Sequence, residues 1–185
     1  VEYRIVNAQR LMLILTDVTR QKILEDSIKE ERNKLKFVVA AVCESRDFFE
    51  ILDEYEIFIS QELPDCLSGG FPPGEALRKM YRKVHTFKGL FNQQHFIFVP
   101  KALHTLEGNL HEFGLNDDPT LADLKLLYDQ AEVEAMLQKD IEIIHDIFGA
   151  DFMDRRGEIS ISKKQADALK LLADNLLAKA LNELD

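Results

Sequence analysis

The sequence predicts an all-α protein: an up-down bundle of helices with short loops, carrying a small β-hairpin at its N-terminus. Three observations lead there. Apolar residues recur at three- and four-residue steps over most of the 185 residues. Clusters of Gly, Pro, Asn and Asp separate these stretches as short loops. Only the first sixteen or so residues alternate with the period of a strand.

Tyr3-Arg4-Ile5-Val6 and Leu11-Met12-Leu13-Ile14-Leu15-Thr16 read as two strands around Asn7-Ala8-Gln9-Arg10. A lone hairpin is marginal in water, so this one belongs to a larger sheet or needs another surface. From Lys22 to Val42 the period is helical. Leu24, Ile28, Leu35, Val38 and Val42 fit a and d positions of a heptad, with Glu31 interrupting one d position. Two readings fit that stripe equally. One is a two-stranded coiled coil and hence a homodimer through Leu24 to Val42. The other is a single amphipathic helix of an intramolecular bundle.

Asp47-Phe48-Phe49-Glu50 offers an acidic cap with a following Glu, a variant of the Ser/Thr capping box, the alternative being that the preceding helix runs through it. The helix it would open runs over Ile51, Leu52, Tyr55, Phe58, Ile59 and Leu63, and Pro64 should stop it. Ser68-Gly69-Gly70-Phe71-Pro72-Pro73-Gly74 is a loop. A further helix is expected over 75–94, and another with Pro100 in its first turn, ending near Gly114. After the loop Asn116-Asp117-Asp118-Pro119, Thr120 should open one long helix to Phe148, with Gly149 ending it. Residues 151–160 read as irregular, with a short extended piece at 158–161. Ser162-Lys163-Lys164-Gln165 is a capping box for a last helix through Leu181. The expected divisions are 1–20 hairpin, 21–46 signalling helix, 47–149 bundle, and 150–185 connector and C-terminal helix.

Composition bounds the function. Apolar residues at 46% and charged residues at 30% are those of a globular chain. The formal charge of −10 argues against a nucleic-acid surface, which needs clustered Lys and Arg to neutralise phosphates. No apolar run approaches the ~18–20 residues of a membrane-spanning helix, so no membrane contact is expected. Nothing at the start reads as a signal peptide. The chain begins without Met and mid-pattern, so it is expected to be a piece of a longer protein. Cys43 and Cys66 form no C-x-x-C pair and no disulfide framework, which makes a reducing cytoplasm the expected compartment. There is no glycine-rich nucleotide motif and no length left to house a nucleotide-binding domain.

The informative segment is Met80-Tyr81-Arg82-Lys83-Val84-His85-Thr86-Phe87-Lys88-Gly89-Leu90-Phe91. Leu77, Met80, Val84, Phe87 and Phe91 form its apolar stripe. His85, Lys88, Gly89 and Asn92 fall on the neighbouring face. A glycine inside a helix costs roughly 1 kcal/mol relative to alanine, and close approach of another surface beside His85 would give that cost a reason. A neutral imidazole is nucleophilic near neutral pH, since histidine's reference pKa is about 6.5. Lys88 could steady phosphoryl oxygens. A carboxylate on the ring's other nitrogen would fix the tautomer, and Glu107 faces back toward His85 if the two helices are antiparallel.

His85-x-x-Lys88-Gly89, then Phe96, then His104-x-x-Glu107 resembles the histidine phosphotransfer (HPt) domain of chemotaxis-type histidine kinases, over roughly residues 45–148. The spacing between the two motifs is that of the family. The resemblance implies a bundle of HPt type in which His85 is phosphorylated, Lys88 lies beside it and Glu107 hydrogen-bonds it. Gly89 and His104 belong to the same motifs. It departs at His95-Phe96, where the family usually has Gly-Phe, and this puts the shape of that turn in question. Asp17-Val18-Thr19-Arg20-Gln21-Lys22 resembles the end of a PAS sensory domain running into a signalling helix. The resemblance implies two-component signalling. A histidine kinase catalytic domain, which binds ATP and Mg²⁺, would be one partner and a response-regulator receiver the other, with no cofactor in this chain.

Two rivals stand beside this. A metal-binding four-helix bundle would use His85, His104, Glu107 and His111. A pure dimerisation or signalling connector would use the Leu24–Val42 stripe and ignore His85. On the phosphotransfer reading His104 is partly buried near the site, His111 is solvated, and His95, His145 and both cysteines have packing or surface roles.

Overall fold

The computed structural model of the chain describes residues 2–7, 10–14, 17–115, 120–149, 151–154 and 171. Two compact units divide at Arg32/Asn33. The first contains strands β1 (Glu2–Asn7) and β2 (Arg10–Ile14), paired antiparallel with Glu2 opposite Ile14, and the start of helix α1 (Thr19–Cys43). The Asp17 carboxylate accepts a hydrogen bond from the Thr19 N–H at 2.9 Å and so caps α1.

The second unit is a helical bundle. The end of α1 leads into α2 (Ser45–Ile57), a π-helical turn (Phe58–Glu62) and α3 (Leu63–Leu67). Then come α4 (Pro73–Gln93), α5 (Val99–Phe113), α6 (Leu121–Gln130), α7 (Val133–Phe148) and the single turn α8 (Asp151–Asp154). The pair α4 and α5 shares the most extensive helix contact of the bundle. It is antiparallel: Leu77 lies against Gly114, Tyr81 near His111 and His85 against Glu107. The core is aromatic. Phe48 and Phe96 stack with centroids 5.3 Å apart, and Phe37 and Phe91 close on Phe96 at 4.7 and 4.8 Å. Tyr55 meets Phe87 and Phe91 edge-on.

Several sequence expectations are corrected. Asp47 does not cap α2, which begins at Ser45 without a side-chain cap. Pro64 does not stop the helix. Leu63 N–H bonds back to Phe58 in a wider π turn, and Pro64 then occupies the first turn of α3, where its missing N–H costs no helical bond. The single helix expected from Thr120 to Phe148 is two helices. Thr120 does cap α6, accepting from Asp123 N–H, but Glu132 takes a left-handed φ of 48° and breaks the run before α7. Residues 151–154 are helical rather than irregular. The proposed extended piece at 158–161, the box at Ser162 and all but residue 171 of the last helix lie outside the described residues.

The α1 stripe also resolves differently along its length. Phe37, Ala40 and Ala41, none of them heptad positions, are the buried residues, while Val38 and Val42 pack beside them against the bundle core. Leu24 is 45% exposed.

Two details hold the α4–α5 corner. His95 adopts φ 60°, the left-handed conformation a glycine takes freely, and so closes the turn. Phe96 N–H then bonds Phe91 C=O at 3.0 Å and its ring enters the core. Across the bundle, fully buried Asp140 on α7 accepts hydrogen bonds from the N–H groups of Ile97, Phe98 and Val99 at 2.9 to 3.0 Å. Those are donors at the start of α5 that its own helix leaves unpaired. Burial pushes the Asp140 carboxyl above its ordinary pKa, although the three N–H bonds pull the other way.

Candidate functional site

The site sits on the outer face of the α4–α5 pair. On α4 the stripe Leu77, Met80, Val84, Phe87 and Phe91 is buried, which turns His85 and Gly89 outward and leaves Lys88 at the edge. On α5, Leu103, Leu106 and Leu110 are buried, and Glu107 is carried to the seam with its side chain only 11% exposed. The His85 side chain is 63% exposed.

His85 Nδ1 lies 2.5 Å from Glu107 Oε1, and the Lys88 ammonium donates to Glu107 Oε2. One carboxylate thus binds two groups of α4. Desolvation alone would raise the Glu107 carboxyl, but the hydrogen bonds and charges of Lys88 and His85 outweigh it and hold the group below its ordinary value. It is therefore ionised at neutral pH and only accepts. The ring nitrogen facing it must carry the proton, so Nδ1–H donates and the Nε2 lone pair is left free. A ring in this tautomer, fixed at one nitrogen and open at the other, is a nucleophile ready for an electrophile arriving from solvent.

The flanks are bare. A Cβ added at Gly89 or at Gly108, four residues after His104, would meet nothing within 4 Å. The Tyr81 ring, one turn before His85, lies near-parallel to the imidazole at 6.4 Å between centroids. Lys88 spends one donor on Glu107 and is 22% exposed, which leaves its ammonium within reach of solvent-borne anions.

His104 is not partly buried as expected. Its side chain is 77% exposed, with Nδ1 3.8 Å from Glu107 Oε2, because position 104 points away from the Leu103–Leu106 stripe. His111 is exposed near Tyr81, His95 is exposed, and His145 is half-buried on α7. Cys66 is buried and Cys43 half-buried. Among the described residues no three or more His, Cys, Asp or Glu side chains are arranged to hold a metal ion. No helix of the described residues is long and apolar enough to cross a membrane.

The motif spacing singles out His85, Lys88 and Glu107, which the fold brings into contact, but not Gly108, Tyr81 or Asp140. Gly108 repeats the His-x-x-x-Gly spacing of His85 and Gly89, a signal present in the sequence. Asp140 carries no local signal, since its partners are backbone groups more than forty residues away. Comparison with protein-family models, with curated proteins and with solved structures returned no match.

Proposed function

We propose that the bundle is a phosphoacceptor and phosphotransfer module of HPt type in a two-component system, with His85 as the acceptor. The observation that carries this reading is the His85–Glu107–Lys88 arrangement, with Nδ1 on an ionised carboxylate and Nε2 open. The Nε2 lone pair attacks the γ-phosphorus of ATP bound with Mg²⁺ on a kinase catalytic domain. The N–P bond forms as the bond from phosphorus to the bridging oxygen breaks, and ADP leaves. Glu107 stabilises the ring's positive charge through Nδ1–H, and Lys88 offers a cation to the phosphoryl oxygens. A receiver aspartate oxygen then attacks phosphorus, the N–P bond breaks, and Nε2 regains its lone pair.

The bare glycines on both sides give a partner room to approach. ATP and Mg²⁺ belong to the partner domains, the compartment is the cytoplasm, and the chain has no stand-alone enzymatic turnover. The hairpin unit ahead of the bundle is the end of a PAS-like domain on this reading, and α1 is the helix that carries its signal.

Incubation with a kinase catalytic domain, ATP and Mg²⁺ should place acid-labile, alkali-stable phosphate on His85, and His85→Gln should carry none. Glu107→Ala should slow the transfer without abolishing it. Lys88→Ala should slow it by roughly tenfold, equivalent to ~1.4 kcal/mol. Phosphate persisting in His85→Gln, or found on His104 or His111, would remove the reading.

A further inference from the structure

On the side of α4 that faces α3 there is a hollow of about 470 Å³, a size typical of small-molecule sites. It plays no part in the phosphotransfer proposal. Phe58, Cys66 and Phe71 give it an apolar lining, and the ammonium of Lys79 caps the Phe71 ring at 3.2 Å from its centre. The π turn that carries Phe58 widens the chain there before Pro64.

The charges around the hollow are largely spoken for. Lys83 pairs with Glu62 at 2.6 Å, and Lys79 pairs with Glu75 at 3.6 Å. Two are not. Among the described residues, neither the Arg82 guanidinium nor the Asp65 carboxylate makes an ion pair or a side-chain hydrogen bond, and both line the hollow. An aromatic cavity with one free cation and one free anion is complementary to a ligand carrying both charges on an aromatic body. A plain aromatic acid would leave Asp65 without a counter-charge, and a plain amine would leave Arg82 without one.

We propose that this hollow binds a small aromatic zwitterion, with the chemistry of a free aromatic amino acid. Arg82 takes the carboxylate, Asp65 the ammonium, and the Phe58–Cys66–Phe71 lining the ring.

The test is a titration of the full chain, followed by ¹H–¹⁵N spectra, with L-tryptophan, indole-3-propionate and tryptamine. L-Tryptophan should shift the amides of 58–71 and 79–86 saturably, and each single-charge analogue should bind at least about tenfold more weakly. Arg82→Gln should erase the advantage over tryptamine, and Asp65→Asn the advantage over indole-3-propionate. Both replace exposed residues, and the unligated spectra report that the fold is kept. No saturable shift, shifts centred elsewhere, an analogue binding as tightly as L-tryptophan, or variants that leave the preferences unchanged would each overturn the proposal.

Discussion

At the scale of single residues, Glu107 decides the behaviour of the site. Its folded carboxyl is held below the ordinary value of about 4.5. A group lowered in this way contributes stability that is fully present above the unfolded pKa and is lost as pH falls through the folded one. The stability difference between the wild-type chain and Glu107→Gln should therefore be constant near neutrality and shrink below about pH 4.5. Denaturant melts across the acid range would show this, and a difference independent of pH would contradict it. His85 and Glu107 were legible because motif and helical period agree: the stripe at 77, 80, 84, 87 and 91 fixes which way 85 points. The Lys88–Glu107 bond was not legible. The sequence pattern points Lys88 toward an incoming phosphoryl group, whereas the folded resting state keeps it on the carboxylate. Only the closeness of α5 reveals that a single acceptor serves both groups.

At the scale of elements, α5 is positioned from two sides. Its apolar stripe packs on α4, and its first turn is held by Asp140 from α7. Asp140→Ala would leave the Ile97, Phe98 and Val99 N–H groups, the last of them fully buried, without this acceptor, so a loss of about 2 kcal/mol is expected. Asp140→Asn keeps one oxygen acceptor and should lose less. Chemical denaturation of the two variants checks this, and equal stability of Ala and wild type would remove Asp140 as the cap. The helix ends show why boundaries were harder to read than stripes. Pro64 reads as a stop, yet the preceding π turn makes it a start. The α6–α7 break contains neither Gly nor Pro, because Glu132 takes the left-handed conformation instead. His95 does the same at the α4–α5 corner, where packing of Phe96 outweighs the local backbone preference.

At the scale of the whole molecule, α1 serves two units. Phe37, Ala40 and Ala41 anchor its second half in the bundle, and a 3.5-residue repeat through Leu35 and Val42 does not pass through them. The exposed Leu24 and Ile23 lie in the first half. If α1 pairs with a second copy, it pairs through that half, so light scattering should give a dimer that Leu24→Glu dissociates while the bundle's melting stays unchanged. A monomer unaffected by the substitution would leave α1 as an intramolecular helix only. On the proposed function, His85 is an acceptor primed at Nε2 by a carboxylate at Nδ1. Phosphoramidate, a small donor that needs no kinase, tests it most directly when the treated full chain is followed by ³¹P and ¹H–¹⁵N spectra of the histidine rings. One phosphoryl group is expected, on Nε2 of His85, and none in His85→Gln. A phosphoryl group on Nδ1 of His85, or on His104 or His111 in its place, would contradict it.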